Sequence, residues 1–322
     1  MVQAVLIERS GGGAIPAIGI PMRLAAIVIL TAGMLSCARA EASRQPVEVE
    51  MSNVDLHMTP DITLHVRHLR GRFQPAAQRA VPYLDDKTSY TVAVDTGVVS
   101  IGLASLNAMM SQTLADDKSN VDKLKISVDE DGNLRQKGVI DKAINIPFNV
   151  KAGVEATPDG RLRVHMKSVK GFGIPMKRLM KIFHLEMDDL LRVRPGNGVT
   201  VDGNDLLLDP ARLMPPPALS GRLTTARIEN NAVVQVFGDG APRHLSPPAV
   251  SRNFIYWRGG SLSFGKLTMT ATDLELVDMD PKDPFDFSVE RWNDQLVAGY
   301  SKTTTRRGLK AHMPDYNDLP RR

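Results

Sequence analysis

Four groups of residues in this chain have types and spacings that could support chemistry. Lys177, Arg178 and Lys181 follow Pro175, with Lys167 and Lys170 just upstream. Proline suits the first turn of a helix, because its missing N–H is one of the groups that has no intrahelical partner. These cations would then sit where free amides and the helix dipole already attract anions, a setting suited to a phosphate headgroup. The competing reading is a solvated face whose charges pair with Glu186, Asp188 and Asp189 further along. Asp278, Asp280 and Asp283 offer three carboxylates to a hard cation, but the segment lacks the glycine and the distal glutamate of a calcium loop, and Pro281 and Pro284 read as a turn. Asp129-Glu130-Asp131-Gly132-Asn133 likewise reads first as a hairpin tip. Asp283, Asp286 and Glu290 could be pictured as glycosidase acids, yet a sequence cannot set two carboxylates face to face across a sugar.

The remaining chemistry-bearing residues are scattered. His65 and His68 lie three apart in a strand-like segment, so a regular strand would point them to opposite faces and make them a poor metal pair. The chain has no GxSxG elbow, no HExxH pair and no phosphate-cradling glycine loop, and Gly171-Phe172-Gly173 runs into Pro175 without a third glycine. No catalytic residue, metal site or cofactor is therefore expected.

The elements that must position any site alternate between two periods. Over 173–193, Met176, Leu179, Met180, Phe183, Met187, Leu190 and Leu191 recur at helical spacing and predict one long amphipathic helix. Methionine-rich faces of this kind serve either as solid core or as a deformable lining for apolar ligands. Leu103, Leu106, Met109, Met110, Thr113 and Leu114 predict a second, shorter helix, ending near Asp116. Elsewhere short alternating segments dominate. Hairpin turns are expected at Asp131-Gly132, Pro158-Asp159-Gly160, Asp202-Gly203-Asn204 and Asn230-Asn231, and a chain reversal at Asp95-Thr96-Gly97, while Gly259-Gly260 stands between the β segments Phe254 to Trp257 and Leu262 to Met269. Residues 71–82 read as a loop. Residues 239–250, with glycine and three prolines, read as a boundary before a β-rich extension over 239–322.

The N-terminus has the order of an export signal: Met22-Arg23, an apolar run over 24–34, and Ala38-Arg39-Ala40 as a small-x-small cleavage site. Met22 is a plausible true start, since 2–21 lack a basic opening, and residues 1–40 are assigned to the signal. Met34-Leu35-Ser36-Cys37 offers a second cleavage, an imperfect lipobox that would lipidate Cys37, the chain's one cysteine. Either route excludes a disulfide. Cleavage after Ala40 removes Arg9, Arg23, Arg39 and Glu8, taking the net charge from +4 to +2. Export and near-neutrality both argue against nucleic acid as a partner.

Three stretches resemble the LmeA-like phospholipid-binding proteins of bacterial envelopes, relatives of the tubular lipid-binding (TULIP-like) superfamily. They are Val98-Val99-Ser100-Ile101-Gly102-Leu103-Ala104-Ser105-Leu106-Asn107, the Gly173-Ile174-Pro175 opening, and Val199-Thr200-Val201-Asp202-Gly203-Asn204-Asp205-Leu206-Leu207-Leu208. The resemblance covers about 47–238. It implies an α+β fold, a long and strongly curved antiparallel sheet wrapped around one long helix, with acyl chains held between them in a domain over 41–238. On that expectation Leu106, Met110, Met176, Leu179, Met180, Phe183 and Met187 line the ligand, and Lys177, Arg178 and Lys181 meet its headgroup. The expected function is non-enzymatic binding or transport of a phospholipid or other acyl lipid in the periplasm, with a membrane surface as a further partner and no protein partner identified. The alternatives are an envelope scaffold with a filled core and, behind it, a hydrolase of envelope glycan or lipid.

Overall fold

The computed structural model describes residues 46–76, 79–116, 121–141, 145–171, 174–175, 198–245 and 251–320. The chain opens with β1 (Val47–Thr59), β2 (Ile62–Pro75) and β3 (Tyr90–Gly102), and β3 runs directly into helix α1 (Leu103–Asp116). A meander follows: β4 (Val121–Val128), β5 (Leu134–Asp141), β6 (Asn145–Ala156), β7 (Leu162–Gly171) and β8 (Ile174–Pro175), then β9 (Val199–Asp202) and β10 (Asp205–Leu208). Helix α2 (Pro210–Leu213) leads to β11 (Leu219–Ser220), β12 (Leu223–Glu229) and β13 (Ala232–Phe237). The rest comprises β14 (Phe254–Phe264), β15 (Leu267–Asp278), β16 (Phe285–Ser288), α3 (Trp292–Ala298), β17 (Tyr300–Thr303) and β18 (Leu309–Met313).

These strands form two sheets. Sheet A runs β12-β13-β3-β2-β1-β14-β15-β18-β17, with β11 added on β3 and β16 on β1; sheet B runs β4-β5-β6-β7-β10-β9, with β8 added on β7. The expected architecture, one curved sheet around a long helix, is corrected here. Among the described residues the longest helix is the fourteen-residue α1, and the sheets pack through their own side chains. The predicted helix over 173–193 falls almost wholly outside the described residues. The strands beyond 239 lie in sheet A itself, where β14 pairs antiparallel with β1 from Glu48↔Arg258 to Ser52↔Phe254.

The core of sheet A follows from an irregular alternation. In β1 the inward residues are Val47, Val49 and Met51, then Val54, Leu56 and Met58; in β2 they are Ile62, Leu64 and Val66, then Leu69 and Phe73. Strict period-2 order would send the second set to solvent. Asn53 resolves the conflict by adopting φ 50°, a conformation that asparagine tolerates better than most residues. The partner strand β2 skips at Arg67, and β3 skips at Asp95. Asp95-Thr96-Gly97 is therefore a kink inside β3 and not the expected reversal. Gly97 is needed there because a Cβ would lie 2.9 Å from the His68 carbonyl oxygen. The skip at Arg67 corrects the histidine reading: His65 and His68 both stand on the face opposite Val66 and Leu69, one bonded to Asp55 and the other to the Gly240 carbonyl.

Two more expectations shift. β2 continues to Pro75, through part of the expected loop, and β14 runs straight through Gly259-Gly260, so that its hairpin with β15 turns at Gly265-Lys266. Residues 239–245 form a strap across the outer face of three neighbouring strands. Thr96 Oγ1 donates to Asp239, His68 Nε2 to the Gly240 carbonyl, and the Leu245 amide to Glu50, at 2.6–2.8 Å.

Candidate lipid-binding face

Sheet B is amphipathic, and its register shows how. Ile126, Gln136, Val150 and Val169 form one row across β4 to β7; Val128, Leu134, Ala152 and Met166 form the next. Val154, Val164, Leu206 and Val201 continue the face across β6, β7, β10 and β9, followed by Ala156, Leu162, Leu208 and Val199. These sixteen positions share one face because the slip at Lys151/Ala152 places Lys167 and Ser168 together on the other side. That bulge keeps Val169 and Met166 on the same face. Gly138 belongs to this face too, and the Phe148 ring fills its place, 2.7 Å from where a Cβ would stand.

Burial distinguishes the two sheets. In sheet A most inward apolar side chains are buried, whereas Phe148, Val154, Leu162, Val164, Met166, Val169, Leu206 and Leu208 of sheet B are only half-buried and Val201 is exposed. Leu134, Val154, Ala156 and Leu162 rest against the sheet A core. The core itself is filled: the void among Met51, Phe73, Trp257 and Trp292 has a volume of about 30 Å³, against the ~300–1,000 Å³ of ordinary ligand pockets. An acyl chain has no room there. A larger, open cleft between the 76–89 segment and the β14–β15 turn is lined by Arg79 and Asp86, which already pair at 3.0 Å.

Helix α1 brackets the two sheets. The Asn107 side chain donates to the Ile126 carbonyl and accepts from the Ile126 amide, at 2.9 and 2.7 Å, so it acts as a strand partner for the edge of β4. At the helix start, Ser105 Oγ accepts from the Thr63 amide of β2 at 2.9 Å. Of the residues expected to line a ligand, Leu106 packs against the sheet A core and Met110 is half-buried on α1. Met176, Lys177, Arg178, Leu179, Met180, Lys181, Phe183 and Met187 lie outside the described residues, as does Cys37. Sequence reasoning found the individual hairpins but missed the face they share, because register between non-adjacent strands is not written in any one of them.

The acidic loop after β15 is a second polar centre. Asp278, Asp283 and Asp315 bring carboxylate oxygens within 4.8 Å of one another. The buried Asn253 side chain donates to Asp278 at 2.9 Å and to the Asp283 carbonyl, while the Asp280 amide donates to Asp278 at 2.7 Å. Burial, then repulsion from Asp278, Asp286 and Asp283, pushes the Asp315 carboxyl up to about 7, against the hydrogen bond from the Asp286 amide. Asp278 is also raised, chiefly by burial. Alongside, His57 joins Asp286 at 2.6 Å and Thr63 at 3.0 Å. These contacts tie β1, β2, the acidic loop and the C-terminal segment together, and they confer sensitivity to pH.

No family model, curated protein or solved structure matches this chain.

Proposed function

We propose that this protein binds a lipid, a phospholipid by the resemblance above, in the bacterial envelope, and that it does so without chemistry of its own. The observation that carries the reading is the continuous apolar face of sheet B, in register over six strands, buried at Ile126, Val150 and Ala152 but half-buried from Val154 to Leu208 where the sheet A core is closed. Acyl chains are recognised by contiguous apolar surface, without directional bonds. The reading includes export through the N-terminal signal. The scaffold alternative draws support from the filled core of sheet A, and the same experiment decides between them.

Extraction of the purified full chain followed by lipid mass spectrometry should recover phospholipid in near-stoichiometric amount. Replacing Val164 and Met166 together with Gln should lower that amount severalfold while the melting temperature moves by only a few degrees, since both side chains are half-buried. A preparation without lipid, which also takes up none from phospholipid vesicles, would overturn the proposal in favour of the scaffold.

A further inference from the structure

We propose that the opposite, polar face of sheet B is a docking surface for an anionic membrane. The inference rests on the lipid-binding reading for its purpose and on a separate set of residues for its evidence. Lys125 stands directly across from Lys137, Lys137 from Asn149, and Asn149 from Lys170. Adjacent strands are ~4.8 Å apart, so three lysines fall along a line of ~15 Å on a single face. All three are exposed. Arg135 stands in the next row, across from Lys151.

Four acids near this face are engaged elsewhere. Lys151 takes Asp129 and Asp131 at 2.8 and 3.2 Å, and Arg163 takes Glu155 and Asp205. Lys167 donates to Asn133 at 2.6 Å. Among the described residues, Lys125, Lys137, Lys170 and Arg135 have no ion-pair partner. Like charges directly opposite one another on a sheet repel, and among the described residues no ion pair offsets the repulsion of Lys125 and Lys137. A layer of phosphate headgroups would offset it. The face is formed by sheet, not by a groove, so its cations can meet a planar negative surface together, while the apolar face on the other side stays free for its ligand. The near-neutral net charge after signal removal disfavours nucleic acid as the occupant.

The test is cosedimentation of the full chain with vesicles of phosphatidylcholine containing 30% phosphatidylglycerol, and with phosphatidylcholine alone, at about 25 and about 500 mM salt. Wild type should bind the anionic vesicles at low salt and release them at high salt, where the screening length is well below the ~10 Å of 0.1 M salt. The K125Q/K137Q/K170Q variant should bind about a hundredfold more weakly, from about fivefold per cation at an anionic surface. K125R/K137R/K170R should retain binding. Equal binding by wild type and the Gln variant, equal binding to both vesicle types, or binding to duplex DNA as tight as to anionic vesicles would each overturn docking. Lipid extracted from the same preparations reports separately on the apolar face: a Gln variant that carries its lipid but leaves the vesicles fails only in docking, as proposed, whereas vesicle binding by a lipid-free wild type counts against the lipid-binding reading alone.

Discussion

At the scale of single residues, two side chains carry more of the architecture than their size suggests. Asp315 holds its proton to about pH 7 in the folded state against an ordinary 3.8. The folded protein therefore binds the proton more tightly than the unfolded chain, and stability contributed at low pH is lost as the pH rises from about 4 to about 7. Asp315→Asn keeps an acceptor for the Asp286 amide and removes the charge. It should flatten the stability profile over that window and make the variant more stable than wild type at pH 8, as urea unfolding at a series of pH values would show. Asn107 presents the other case. Its amide satisfies both backbone groups of Ile126 on the edge of β4, and Asn107→Ala leaves a donor and an acceptor there unmatched. The expected loss is about 1–3 kcal/mol in chemical denaturation, with Asn107→Gln failing to rescue because the longer chain misplaces both bonds.

At the scale of elements, the contrast is between strands that bend and strands that stay in step. β1, β2 and β3 each change phase near their middle, and the positive φ of Asn53 and the close approach at Gly97 are the devices that allow it. Without them one half of each strand would turn its Val, Leu and Ile residues to solvent. β4 to β7 hold one phase from Lys125 onward, apart from the bulge at Lys167, so one side becomes apolar and the other cationic. Gly138 tests how tightly that apolar side is set. Gly138→Val would put a side chain where the Phe148 ring lies and near Leu124, and should destabilise by about 1–3 kcal/mol, as overpacking does. Combining it with Phe148→Ala should recover much of that loss in the same denaturation assay, because the two changes share one space.

At the scale of the whole molecule, sheet A depends on strands far apart in sequence. β14 covers one stretch of the β1 edge and β16 the next, in parallel from Val54↔Phe285 to His57↔Ser288. Ile255, Trp257, Leu262, Phe285 and Met313 are all buried in the same core as Val49 and Leu64. A chain ending at Gly238 would expose that edge and strip the core of its largest side chains. It should be insoluble or lack a cooperative thermal transition, as circular dichroism of the truncated protein would reveal, because an unpaired long edge strand is a template for aggregation.

How much of this was legible beforehand follows from the range of the forces involved. The turns at Gly132, Gly160, Gly203 and Asn230-Asn231, the helix beginning at Leu103 and the alternation of most strands are set by residues within a few positions of one another, and the sequence alone determined them. The acidic run after Val277 was visible too, as residue types. What the tertiary structure decided is which strands become neighbours. The reversal expected at Asp95 became a kink within a long strand, because pairing with β2 outweighs a local preference to turn. Asp315 joined Asp278 and Asp283 from thirty residues away, and strands beyond 239 completed the sheet begun at Val47. The lysine row exists in no segment of the chain, since its members come one from each of three strands. Local propensity acts over a few residues, while burial rewards any distant partner of matching pattern, and for this protein the choice among such partners was made only on folding.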